Sequence, residues 1–154
     1  SELISSPYWK NSVLFLTYDE GGGFFDHVSP PEACVPDDIP PMFTKRNQIK
    51  GTFDHFGLRV PFIAISPYAK PHYVSHVTHD HTSILKFIET KYNLPALTAR
   101  DANSDDLTDV FDFQNPPQLD VTLPQLVLGP AKCDSVPEPK SKKVLDLFSK
   151  VLNR

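Results

Sequence analysis

Two short apolar runs constrain this chain more than any other feature: Ser12–Tyr18 (Ser-Val-Leu-Phe-Leu-Thr-Tyr) and Val60–Ser66 (Val-Pro-Phe-Ile-Ala-Ile-Ser). Both are rich in strand formers and almost uninterrupted by polar side chains. Each reads as a strand buried on both faces, the pattern of a parallel sheet covered by helices. Pro61 falls at the start of its run, where a missing N–H is tolerated. Residues 19–59 between the runs have no hydrophobic periodicity and contain Pro30-Pro31 and Pro40-Pro41. A connection that long in a compact domain is expected to lie over a functional site.

Helical spacing appears in Thr82–Tyr92, where Ile84, Leu85, Ile88 and Tyr92 share a face. Asp80 or Thr82 is placed to cap its start, and Asn93 followed by Pro95 to end it. Ser141–Leu152 carries a second amphipathic stripe through Val144, Leu145, Phe148, Val151 and Leu152. Glu2–Trp9 reads as the tail of a further helix, and residues 96–140 as mostly loop. Two strands with flanking helices predict the α/β class. Two strands also make a poor sheet, so these residues read as the C-terminal part of a larger α/β domain: one unit over 1–154, with a core over 1–115, a Pro-rich loop over 116–140 and a helix over 141–154.

Composition narrows the function classes. The 16 prolines among 154 residues are about twice average usage, which points to stiff, ordered loops. A net charge of -4 and the lack of a basic block argue against a general nucleic-acid binder. No apolar run approaches the length of a membrane span. The chain begins Ser1-Glu2-Leu3-Ile4, without a signal-like segment, so an export signal would have been removed upstream. Cys34 and Cys133 both sit in Pro-rich flanks; one bridge, implying an oxidising compartment, and two free thiols stay open alternatives.

The chemistry concentrates in Tyr18-Asp19-Glu20-Gly21-Gly22-Gly23-Phe24-Phe25-Asp26-His27-Val28. Two acids sit where a strand ends, the edge at which α/β ligand sites form. Adjacent strand residues point to opposite faces, so Asp19 and Glu20 converge on one ion only if the strand breaks there. The three glycines supply that freedom. Two carboxylates suit a hard divalent cation, and a nearby imidazole widens the choice towards Mn, Fe or Zn. A second cluster holds His72, His76, His79, Asp80 and His81 ahead of the predicted helix, whose N-terminus suits an oxyanion. His81 is the preferred site residue there, then His76. Arg59 is able to clamp a phosphate, but at the beginning of its strand it reads rather as half of a structural ion pair. Ser66-Pro67, at the strand's end, is placed to line the cleft.

The spacing Asp19-Glu20-Gly-Gly-Gly-Phe-Phe-Asp26-His27-Val28 resembles the Asp-Glu-x-x-Gly-x-x-Asp-His-Val motif of the phosphoesterase family. That family includes bacterial acid phosphatases, phosphatidylcholine-preferring phospholipases C and plant non-specific phospholipases C. Gly57-Leu-Arg59-Val60-Pro61 leading to Ser66-Pro67 is similar to its Gly-x-Arg-Val-Pro-x-x-x-x-x-Pro motif. Tyr73-Val-Ser-His76, Asp80-His81-Thr-Ser83 leading to Phe87-Ile88-Glu89, and Leu97-Thr-Ala-Arg-Asp101 resemble bacterial members. The likeness runs in order through about residues 1–115.

The resemblance implies an alkaline-phosphatase-like α/β fold with long Pro-rich loops and metal-assisted hydrolysis of phosphoric esters, phospholipids included. It implies Asp19 and Glu20 as ligands of a divalent metal (Ca, Mg, Mn, Fe or Zn). Asp26, His27 and His81 become acid/base or supporting residues, and His76 a substrate contact. It further implies an exported protein, secreted or periplasmic. The family's Glu-Asn metal-binding segment and Thr/Ser nucleophile segment have no counterpart in this sequence. The chain is therefore expected to supply part of a site, to show little turnover alone, and to regain it with a complementary N-terminal chain. The competing class is a non-catalytic module whose acids hold a structural Ca²⁺ and whose loops form an interface.

Overall fold

A computed structural model describes residues 2–42 and 51–125. By compactness the chain divides into two units, Ser1–Val121 and Thr122–Arg154. The predicted helix over Ser141–Leu152, and Cys133, lie outside the described residues. Cys34 is exposed, with a free thiol.

The first unit is mixed α/β. A short helix α1 (Glu2–Ser5) and a 3-10 turn (Trp9–Asn11) lead into β1 (Leu14–Thr17). Later come β2 (Phe62–Ile65), α2 (His81–Tyr92), α3 (Ala99–Ala102) and a second 3-10 turn (Thr108–Val110). β1 and β2 pair antiparallel in the register Leu14↔Ile65, Phe15↔Ala64, Leu16↔Ile63 and Thr17↔Phe62.

That pairing corrects the parallel reading of the two apolar runs. Nor are both faces covered among the described residues: burial alternates along β1, and Leu14, Leu16 and Ile63 are exposed. The other face carries Phe15 and Phe62, stacked with ring centroids 5.7 Å apart. Phe87 of α2 meets Phe15 edge-on at 5.2 Å, and Phe111 lies 5.6 Å from Phe87. Such aromatic pairs each contribute about 1 kcal/mol beyond the area they bury. The buried apolar residues are Trp9, Leu107, Val110 and Phe111, the last of them part of this aromatic cluster.

Helix α2 begins where local chemistry dictates. Asp80 is its N-cap: the carboxylate accepts from the Ser83 N–H, and the Ser83 hydroxyl accepts from the Asp80 N–H, a reciprocal pairing that satisfies two otherwise orphaned donors. Asn93 ends the helix in the left-handed conformation, φ 51°, which Asn tolerates. The face turned inward differs from the predicted one. Ser83 and Glu89 are buried, whereas Leu85, Ile88 and Tyr92 are exposed. Within residues 96–140, α3 is capped by Thr98 with Asp101 as its reciprocal partner. Phe111 bridges to Ala69, tying this segment to the end of β2.

Candidate functional site

The antiparallel pairing decides which residues share an end of the sheet. Thr17 at the end of β1 lies opposite Phe62 at the start of β2, so Asp19-Glu20 and Arg59 emerge on the same side. Arg59, read from the sequence as standing at the wrong end, is corrected to the site end. Ser66-Pro67 moves the other way: the Ser66 hydroxyl donates to the Ser12 carbonyl at 3.0 Å, beside the beginning of β1. Its expected place in the cleft is overturned.

Beyond β1 the chain turns sharply. Gly22 and Gly23 have φ of 62° and 76°, a region that side chains with a Cβ rarely adopt. This turn returns Asp26 to the sheet end, where Arg59 grips it. The guanidinium donates through Nε to Oδ2 at 2.9 Å and through Nη2 to Oδ1 at 2.8 Å. The Arg59 N–H adds a bond to Oδ2 at 3.1 Å, and the Val28 N–H one to Oδ1 at 3.0 Å. The Arg59 side chain, then the Val28 N–H, hold the Asp26 carboxyl well below the ordinary carboxylate range. Both oxygens of Asp26 are thus engaged in fixing the loop. The same pair bears out the structural ion-pair reading of Arg59.

An open cleft of about 470 Å³ lies here, lined among others by Gly21, Phe25, Asp26, His27 and Arg59. His27 points outward, its side chain 80% exposed and 3.9 Å from Asp26. Asp19 and Glu20 are exposed. His81, the first residue of α2, reaches across to this end: its Nε2 meets the Tyr18 carbonyl oxygen at 2.7 Å. A carbonyl only accepts, so Nε2 carries the proton and Nδ1 is the nitrogen left for other work. The structure joins Asp26, His27 and Arg59 in one cleft and ties His81 to Tyr18, the residue before Asp19; Asp19 and Glu20 follow the same strand end without a described bond to any of them. His76 is exposed on the loop before α2.

Among the described residues, the group of acids and imidazoles close enough to hold a metal ion is a different one: His79, Asp105 and Asp109. His79 belonged to the cluster singled out in the sequence, but its partners did not. They lie far along the chain in an Asp-rich segment that reads as loop, and no local spacing joins them to it.

The cleft at the strand end thus carries one carboxylate, one imidazole and one guanidinium among apolar side chains. The model of the Phosphoesterase family matches residues 1–95, and the chain belongs to that family. It is 41% identical over 128 residues to phospholipase C B of Mycobacterium tuberculosis, covering 75% of this chain and 24% of that protein. To non-hemolytic phospholipase C of Burkholderia pseudomallei it is 39% identical over 140 residues, 80% of this chain and 20% of the relative. To non-specific phospholipase C6 of Arabidopsis thaliana it is 35% identical over 163 residues, 95% and 29% respectively. The chain spans only 20–29% of these relatives' length. No described helix is long and apolar enough to cross a membrane.

Proposed function

We propose that these residues form the metal-holding and proton-donating side of a phosphoester hydrolase site on an alkaline-phosphatase-like sheet, acting on phospholipids or phosphate monoesters. The observation that carries this reading is the 2.7 Å contact from His81 to the Tyr18 carbonyl, which draws an imidazole to the strand end bearing Asp19 and Glu20.

The donor set fits a divalent cation. Asp19 and Glu20 are exposed carboxylates that no described hydrogen bond or ion pair engages, and the loop after them turns through glycine. When bound there, a divalent ion would neutralise charge on the phosphoryl oxygens and lower the pKa of the attacking group. The chain's own residues do the rest. The cleft beside Gly21 and Arg59 accommodates the ester, with the exposed edge of the guanidinium towards its oxygens. As the bond from phosphorus to the leaving oxygen breaks, that oxygen keeps the electron pair and takes a proton from His27 or from a His81 imidazolium, whose Nδ1 gives up its proton while Nε2 stays on the Tyr18 carbonyl. Water supplies the remaining oxygen and proton. Asp26 holds the loop that presents His27, and His76 contacts substrate from the loop before α2. The nucleophile and opposing metal ligands come from segments of the whole protein outside this chain, which is exported.

A proton donor matters most where the leaving group is poor. In protein joined to those segments, H81Q is expected to slow hydrolysis of an alkyl phosphate or phosphatidylcholine about a hundredfold. Hydrolysis of p-nitrophenyl phosphate should slow far less. Equal losses on both substrates would remove His81 from proton transfer.

A further inference from the structure

We infer that His79, Asp105 and Asp109 form a second cation site, separate from the strand-end acids, that binds a divalent first-row transition ion such as Zn²⁺ and staples the loop before α2 to the segment after α3. The inference does not rest on the proposed hydrolytic function.

The argument is one of protons. Ser75 has one hydroxyl hydrogen, and it goes to Asp109 Oδ2 at 2.5 Å. Its oxygen accepts from the Val77 N–H at 3.2 Å. The contact of Ser75 Oγ with His79 Nε2 at 3.1 Å is therefore one in which Nε2 donates. That tautomer leaves Nδ1 a bare lone pair. Nδ1 lies 3.2 Å from Asp105 Oδ1, and the His79 side chain is only 13% exposed. Nδ1 is buried without a hydrogen bond, and so is Asp109 Oδ1, which lies 3.3 Å from Nε2. A lone pair buried on the imidazole side and facing a carboxylate whose side chain is 34% exposed calls for positive charge between them. A second proton on the ring or a metal ion supplies it.

Geometry and composition favour the metal. One ligand atom from each of the three residues lies within 4.8 Å of the others. Ligands of a tetrahedral zinc at about 2.1 Å stand roughly 3.4 Å apart, so the 3.2 Å separation of Nδ1 from Asp105 already matches an edge of that shell. The 3.2 Å and 3.3 Å contacts also fail as hydrogen bonds, since both Nδ1 and Asp109 Oδ1 remain unpaired. One imidazole with two carboxylates suits Zn, Mn or Fe rather than Ca. Supporting contacts are built: the Tyr73 hydroxyl donates to Asp109 Oδ2 at 3.1 Å, and the Leu107 N–H to an Asp105 oxygen at 2.9 Å. Outer contacts of this kind orient ligands. Asp105 also borders a cleft of about 390 Å³ beside Val77, Thr78 and Ser104.

The test is metal binding by the chelator-treated 154-residue chain, followed with Zn²⁺ by equilibrium dialysis and with Co²⁺ by its visible absorption. One equivalent should bind and persist in a D19N/E20Q double variant. H79Q and D105N should each weaken it by about tenfold or more and abolish the Co²⁺ bands. D105N keeps an oxygen for the Leu107 N–H, so its result stands even if H79Q disturbs the fold. Binding unchanged in D105N would overturn the inference. So would a ring carrying protons on both nitrogens at neutral pH, read from His79 ¹⁵N shifts that Zn²⁺ leaves unmoved.

Discussion

The strand end and the α2–α3 region use the same polar residue types in opposite ways. At the strand end, Asp19, Glu20 and His27 are exposed, and the bonding that is present, Asp26 to Arg59, holds a loop in shape. Around α2 and α3, Asp80 and Asp101 are turned inward and saturated. Asp101 is 1% exposed and accepts from the Leu97 N–H at 2.7 Å and the Thr98 N–H at 2.8 Å. Asp80 accepts from Thr82, Ser83 and Ser104. The contrast teaches that saturated polar bonding gathers at residues 80–111 and free acids at residues 19–28, so substitutions in the two places should separate folding from the proposed function.

The largest effect is expected at Leu107, fully buried although its φ is 61°. L107A should lower unfolding stability by about 3 kcal/mol, read from the denaturant midpoint. L16A, on the exposed face of β1, should cost no more than about 1 kcal/mol. Comparable losses at both positions would erase the contrast. Next, D101A removes the acceptor for two backbone donors and should cost about 2 kcal/mol, a loss that a D19A variant measured alongside should not share.

Much of the stable region is legible in the sequence because capping is local. Asp80 three residues before Ser83 and Asn93 ahead of Pro95 announce the ends of α2 whatever surrounds it. Strand direction is not local. Ser12–Tyr18 and Val60–Ser66 read as buried on both faces because both are apolar throughout, yet Leu14, Leu16 and Ile63 are exposed among the described residues. The direction of pairing depends on the path of residues 19–59, which carries no periodicity to read. That one error moved Arg59 and Ser66 to the wrong ends. The acids after β1 were legible from type and glycine spacing, whereas Asp105 and Asp109 were not, because only the fold brings them to His79.

A pH series sharpens the comparison with a smaller effect. Burial, then the Asp101 carboxylate beside it, push the Glu89 carboxyl above its ordinary value, and its oxygens meet no hydrogen-bond donor. A group whose folded value is raised stabilises the fold below its unfolded value and loses that contribution as pH rises through the folded one. Burial would raise Asp101 too, but Thr98 and the Leu97 N–H outweigh it and hold the carboxyl low. Its contribution is present above the unfolded value and fades as pH falls through the folded one. Denaturant midpoints should therefore decline through Glu89 as pH rises above the ordinary glutamate value, and E89Q should flatten that arm alone. An unchanged arm in E89Q would place the titrating group elsewhere. The smallest shift is expected from R59Q, because the Arg59 side chain is 62% exposed and Asp26 keeps the Val28 and residue-59 N–H donors; a midpoint loss rivalling that of D101A would contradict the division between the regions.

The central claim, that the acids after β1 hold a cation used in phosphoester hydrolysis, is tested most directly by metal content and hydrolysis measured together. The sample is protein in which this chain is joined to the rest of its site, with and without D19N. The expected result is loss of one metal equivalent and, in step with it, loss of hydrolysis of a chromogenic phosphate ester. Full metal content with undiminished hydrolysis in D19N would contradict it.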